Sequence, residues 1–188
     1  MDAITLLKDD HKTVKGLFRK FEKAGDHAYI TKRKLVDKIT EELSVHAAIE
    51  EQVFYPAVRH TLNQTEDDVL EALEEHHIVK WTLSELEKMD PKDERFDAKV
   101  TVLIESVEHH IGEEEGEMFP KVRKALSRTQ LNELGDLMER AKLAAPKRPH
   151  PRSPDEHPTN AIAAPVLAVL DAGKQVVKKV AQLRPKAS

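Results

Sequence analysis

The sequence predicts an all-α protein: an up-down-up-down four-helix bundle with an additional short helix and a proline-linked C-terminal amphipathic helix. Three observations predict it. Apolar residues recur at three- and four-residue steps along four long segments, the stripe of a helix that buries one face. The segments are separated by short stretches rich in turn residues, which favours antiparallel neighbours. The composition, 34% charged and only 4% aromatic over 188 residues, suits one helical domain with an appendage.

From Asp2 to about Ala24 the stripe is Ile4, Leu7, Val14, Phe18 and Phe21, and His11 sits in it. Gly25 supplies a stop and Asp26 a candidate start for the second helix, which runs to about Leu62 along Ile39, Leu43, His46, Glu50, Val53 and Ala57. Pro56 falls inside that span. It lacks an N–H and crowds the preceding turn, so the helix should kink or loosen near Gln52. Thr65 is a candidate cap for a third helix whose first turn is acidic and whose stripe is Val69, Leu73, His76, Val79, Leu83 and Leu86. A fourth helix begins near Asp93 and follows Val100, Leu103, Val107, His110, Glu114 and Met118, with Pro120 repeating the late proline of the second. Ser127 opens the shorter fifth helix, expected to lie across one end of the bundle.

Residues 1–145 are therefore expected to form the bundle domain. The proline-rich stretch 146–160 reads as an extended linker that cannot build a core. Residues 161–188 read as an amphipathic helix and tail, with Ile162, Val166, Leu170, Val177, Val180 and Leu183 on one side and Lys174, Lys178 and Lys179 among the rest. Docking onto the same chain, or self-association with a neighbouring one, is the leading reading of that helix; a basic membrane-surface helix is the second.

Composition removes several function classes. The six glycines form no Gly-rich loop before a helix, which disfavours nucleotide chemistry. The formal charge of -4 arises from 34 acids and 30 bases in mixed order, so no broad basic face is expected to hold DNA or RNA. Without cysteine there are no disulfides, thiol nucleophiles or thiolate metal sites, and any metal must use nitrogen and oxygen ligands. The N-terminal "MDAITLLKDDHK" lacks the basic start and apolar run of a signal peptide, and no segment reaches membrane-spanning length, so the expected location is cytoplasmic.

One pattern is written twice. Laying His46 on His110 also lays Glu50 on Glu114, Glu51 on Glu115, Tyr55 on Phe119 and Pro56 on Pro120. A shift of one residue more lays Asp10-His11 on Glu75-His76 and Val14 on Val79. The chain is thus two helix pairs in tandem, each supplying one stripe histidine from its first helix and a histidine and glutamate one turn apart from its second. One turn of spacing points both of the latter side chains the same way. A lone stripe histidine is ordinarily a hydrogen-bonded core residue, and Glu-Glu pairs such as Glu41-Glu42 and Glu74-Glu75 ordinarily face solvent. Four histidines and two glutamates interrupting four aliphatic stripes are a different matter: unpaired carboxylates buried among leucines are costly, and a cation offsets that cost. Imidazole and carboxylate without sulfur suit iron, manganese or zinc.

With "DDH" ending at His11, "HAAIEE" at His46 to Glu51, "EEHH" at Glu74 to His77 and "HIGEEE" at His110 to Glu115, the sequence resembles the hemerythrin family, in its HHE cation-binding branch, over roughly residues 1–125. The resemblance implies a centre of two non-haem irons, oxo- or hydroxo-bridged, with His11, His46, His76 and His110 as nitrogen ligands and Glu50 and Glu114 as bridges. It implies reaction with hydrogen peroxide or dioxygen, plausible as catalase-like detoxification under oxidative stress; the alternative is reversible O2 or NO binding, or iron sensing or storage, without turnover. One departure stands out. Oxygen-carrying members place two histidines four apart on the third helix, whereas Ala72 and Lys80 flank His76 here. Counting about twelve positions on two six-coordinate irons leaves about two open, which Glu51, Glu115 or Tyr55 could fill. His77 and His109 read as neighbours of the site, and His27, His60, His150 and His157 as loop or tail residues.

Overall fold

The computed structural model describes residues 1–62, 65–150 and 168. Apart from Ala168, the amphipathic helix expected over 161–188 lies outside the described residues, as does most of the linker expected over 146–160.

Every regular element among the described residues is helical. Helix α1 spans Ala3–Glu22 and is capped by Asp2, whose carboxylate accepts from the Thr5 N–H at 3.0 Å. Helix α2, Tyr29–Ile49, starts three residues after Asp26, and no side chain caps it. The intervening Gly25–Ala28 turn closes on its own backbone hydrogen bond of 2.9 Å, so Asp26 is left in the loop. A π-turn, Glu50–Phe54, joins α2 to α3, Tyr55–Thr61. Helix α4, Glu66–Leu86, has the expected acids in its first turn, but Thr65 does not cap it, because its hydroxyl donates back to the Leu62 carbonyl at 2.8 Å. Helix α5, Phe96–Glu113, passes through a second π-turn, Glu114–Met118, into α6, Phe119–Ala125. Helix α7, Arg128–Ala144, begins at Ser127 with a reciprocal bond to Gln130, the capping box.

The two prolines explain the two π-turns. Neither Pro56 nor Pro120 can donate, and the residue before each reaches back five positions: Tyr55 N–H to the Glu50 carbonyl, Phe119 N–H to the Glu114 carbonyl. The loosening expected near Gln52 therefore takes the form of one widened turn in each half of the chain.

Helix α1 packs on α2 and α4 on α5, while α2–α4 and α1–α5 contacts close the ring. Two apolar clusters fill it. One gathers Leu7, Ile49, Val53, Ala72, Met118 and Phe119; the other gathers Val14, Leu43, Val79, Val107 and Ile111. In each long helix the polar stripe residues fall between these clusters, which fixes their depth. The fifth helix does not lie across an end. It rests along α1, α2 and the first π-turn, where Leu131, Leu134 and Met138 meet Ala3, Leu6, Ile49 and Val53. No helix among the described residues is long and apolar enough to cross a membrane.

Gly135 permits that docking: a Cβ there would stand 2.0 Å from the Met1 carbonyl oxygen and 3.0 Å from the Ala3 nitrogen. Gly135→Ala should destabilise the protein by about 1–2 kcal/mol net of improved helix propensity, roughly 2–8 °C in Tm. Gly25→Ala meets nothing within 4 Å, and a thermal melt should separate the two.

Candidate metal centre

All six residues singled out from the stripes come together in the layer between the apolar clusters. His11, His46, Glu50, His76, His110 and Glu114 are each no more than 5% exposed. The histidine Nε2 atoms face one another in pairs, His11 with His46 at 3.1 Å and His76 with His110 at 3.2 Å. Each glutamate reaches both pairs: Glu50 Oε2 lies 3.2 Å from His46 Nε2 and 3.4 Å from His76 Nε2, and Glu114 Oε2 lies 3.3 Å from His11 Nε2 and 3.6 Å from His110 Nε2. His11, His46, Glu50 and Glu114 form one group able to hold an ion, with donor atoms within 4.8 Å of one another; Glu50, His76 and His110 form a second.

The outer nitrogens are held by a matching set of carboxylates. His11 Nδ1 meets Glu115 at 2.8 Å, His76 Nδ1 meets Glu51 at 2.9 Å and His110 Nδ1 meets Glu75 at 2.7 Å. Asp10 stands 3.7 Å from His46 Nδ1. The pattern is crossed: Asp10 and Glu75, each preceding one histidine, serve a histidine on the neighbouring helix. A carboxylate at Nδ1 favours the tautomer that leaves Nε2 free as a donor toward a cation. Glu51 and Glu115 are thus engaged at the back of the rings, and Lys80, one turn after His76, pairs with Glu51 at 2.7 Å.

The π-turns add a third component. With one extra residue in the turn, the fifth residue after each glutamate, rather than the fourth, is carried over it. In the first half this is Tyr55, whose hydroxyl donates to Glu114 Oε1 at 3.1 Å and lies 3.4 and 3.5 Å from the Nε2 atoms of His76 and His110. In the second half it is Phe119, stacked on His11 with ring centroids 5.8 Å apart. One histidine pair therefore faces a phenol and the other a hydrocarbon ring.

The donor set fits a cation on an observation independent of motif. Both oxygens of Glu50 and Oε2 of Glu114 are buried and accept no hydrogen bond among the described residues. Carboxylate oxygens left bare in this way carry a large desolvation cost. The sequence matches the Hemerythrin HHE cation binding domain over residues 2–122. The chain belongs to the hemerythrin HHE cation-binding family. An uncharacterized hemerythrin-like protein of Schizosaccharomyces pombe is 28% identical over 171 residues, 90% of this chain and 83% of that one. A DNA nickase of Nostoc sp. is 28% identical over 142 residues, 76% of this chain but only 39% of that protein. The crystal structure of a hemerythrin HHE cation-binding domain-containing protein from Mycobacterium kansasii superposes with a TM-score of 0.64 at 27% identity, covering 77% of this chain and 89% of that one.

The hemerythrin-like layer is electrostatically tense when no metal is bound. Burial, with the Glu114 charge beside it, pushes the Glu50 carboxyl well above the usual range. Burial opposes ionisation of Glu114 too, but His110, His11 and His46 hold it low, so the two carboxylates behave as one unit sharing a proton. Burial takes His46 down to about 4 against the pull of Asp10, and lowers His76 against Glu51. Burial also works against His110, where Glu114 and Glu75 prevail and raise it.

Two of these partners were not legible as such. Glu75 reads as solvated surface in the sequence yet holds His110, and Asp10 was visible only as part of the "DDH" motif. The usable signal was the repeated acid–histidine dipeptide. His77 is half-buried, His109 exposed, and His60 lies within α3 rather than in a loop.

The raised groups, Glu50 and His110, favour the fold when protonated, and that contribution is lost as pH rises through their folded values. The lowered His46 acts oppositely, between about 4 and the ordinary histidine range. Above about pH 6.5 only the raised groups remain in play. The metal-free protein should therefore lose Tm as pH climbs above about 6.5, and Glu50→Gln should remove the share of that loss that Glu50 contributes, as thermal melts in a pH series would record.

Proposed function

We propose that this layer holds two non-haem iron ions and reacts with hydrogen peroxide, disproportionating it in the manner of a catalase. His11 and His46 would hold one ion and His76 and His110 the other, with Glu50 and Glu114 available to both. The observation that carries the reading is the set of bare carboxylate oxygens placed between two facing Nε2 pairs. Ligand atoms about 2.1 Å from a shared ion and at right angles to one another lie about 3 Å apart. The 3.1 and 3.2 Å Nε2 separations match that spacing.

Tyr55 makes the two positions unequal. Its oxygen lies near the spacing of a further ligand on the His76–His110 side, while Phe119 offers nothing to the His11–His46 side. The His11–His46 side would then be the one left for a small ligand. Beside the four histidines lies a cavity of ≈ 20 Å³, lined also by Val14, Leu43, Val79 and Val107. That volume suits a ligand of one or two heavy atoms rather than a bulky substrate. Bound iron would relay two electrons from one peroxide, oxidised to O2 with release of two protons, to a second peroxide, which takes up two protons and becomes two waters. The chain supplies the proton handling: Glu115 couples His11 Nδ1 to solvent, being half-buried with Lys8 3.8 Å away.

The second reading, reversible O2 or NO binding, draws on the same apolar cavity and the same inequality of the two sides. Steady oxygen evolution from peroxide by iron-loaded protein is the expected result; an adduct that forms and dissociates with no net oxygen production would favour binding alone. We expect Tyr55→Phe to abolish a visible phenolate-to-iron absorption band while leaving both irons bound. A spectrum unchanged by that substitution would remove the phenol from the centre. All these residues precede Pro146, so a chain ending there should keep its full metal content by elemental analysis. The Nostoc sp. relative does not extend nicking to this chain, since the likeness spans the minor part of that protein.

A further inference from the structure

The two halves of the chain differ most at the face beside the second glutamate. An opening of ≈ 60 Å³ lies between α4 and the second π-turn, with the buried His110, Glu114, Ala72 and Met118 at its base and Asp68, Glu71, Glu75, Glu113 and Glu117 around it. Under the internal repeat, Asp68 corresponds to Ala3, Glu71 to Leu6, His109 to Val45, Glu113 to Ile49 and Glu117 to Val53. Those counterparts are all buried, and Ala3, Leu6, Ile49 and Val53 share an apolar cluster with helix α7. One half closes this face with hydrocarbon and a helix; the other leaves it open and lines it with carboxylates.

A row of acids on a helix surface is ordinarily just solvated. Here the acids converge on Glu114, whose Oε2 is buried and accepts no hydrogen bond. At the mouth, Glu75, His109 and Glu113 gather donor atoms within 4.8 Å, with His109 Nε2 at 3.3 Å from Glu113 and 3.9 Å from Glu75. The other carboxylate oxygen of Glu75 is 2.7 Å from His110 Nδ1, which links the mouth to the inner layer. Lys121 pairs with Asp68 at 2.8 Å and also lies near Glu117, one cation against five carboxylates around the opening.

We infer that this acid-lined opening is the route by which a divalent cation enters the centre, with Glu75, His109 and Glu113 as its first holding point. The inference rests on the reading of the layer as a metal centre. A negative cleft with low-dielectric walls raises the local cation concentration and the association rate by about 10- to 1,000-fold, an advantage that falls with ionic strength. The glutamates pass the ion inward to the bare oxygen of Glu114, while among the described residues the opposite face is covered by α7.

The test is cobalt(II) uptake by metal-free full-length protein, followed by stopped-flow absorbance at low and high salt. Glu71→Gln with Glu113→Gln and Glu117→Gln should slow uptake at least about tenfold at low salt, with the final cobalt content unchanged and the difference shrinking at high salt. His109→Ala should slow it further. A control losing the same charge elsewhere, Glu22→Gln with Glu94→Gln and Glu133→Gln, should load at the parent rate. Equal rates in the triple variant and parent would overturn the route, as would equal slowing in the control. Failure of the parent itself to take up cobalt would overturn the metal centre instead.

Discussion

Two buried carboxylates in one layer impose the main constraint on this protein. Glu50 and Glu114 sit in the bundle interior between two hydrocarbon clusters, and neither can be hydrated or fully hydrogen-bonded there. Two like charges in low dielectric repel, and desolvating each costs several kcal/mol more. The apo protein relieves this by sharing a proton between them, and a bound cation relieves it far better. The crossed Nδ1 carboxylates follow from the same requirement, since only imidazoles oriented with free Nε2 atoms can help to hold that cation. What would be a flaw in an ordinary core becomes the organising feature of this one.

The tandem repeat builds the layer, and departures from the repeat give it direction. Equivalent prolines make equivalent π-turns, and both carry an aromatic residue over the centre. That one aromatic is Tyr55 and the other Phe119 makes the two histidine pairs chemically unequal. Helix α7 then covers the apolar flank of the first half only, leaving the acidic flank of the second half open. Symmetry thus places the donors, and broken symmetry makes the two sides of the layer chemically unequal.

Much of this was legible from the residues. Stripe periodicity located the four long helices, and the coincidence of histidines and glutamates with those stripes picked out the six residues that meet in the layer. The parts that were not legible share a physical cause: they depend on neighbours that only the folded chain supplies. Asp26 and Thr65 look like caps, but a local turn and the Leu62 carbonyl compete for them. Glu75 looks like any exposed helix acid because its partner, His110, lies on another helix. Helix α7 shows its apolar stripe in sequence, yet the flank receiving that stripe is created by α1 and α2 together. The prolines announced a disturbed turn, while its consequence, Tyr55 brought to the donors, required the geometry of the widened turn.

The central claim is that the chain holds a pair of ions between its two halves, and metal counting tests it most directly. Iron-loaded protein, freed of loosely bound metal and measured by elemental mass spectrometry against protein concentration, should contain two irons per chain. His46→Ala and His110→Ala should each fall below two while His27→Ala, in an exposed turn, stays at two. A folded parent protein with no tightly bound iron, or histidine variants that keep both ions, would contradict the account.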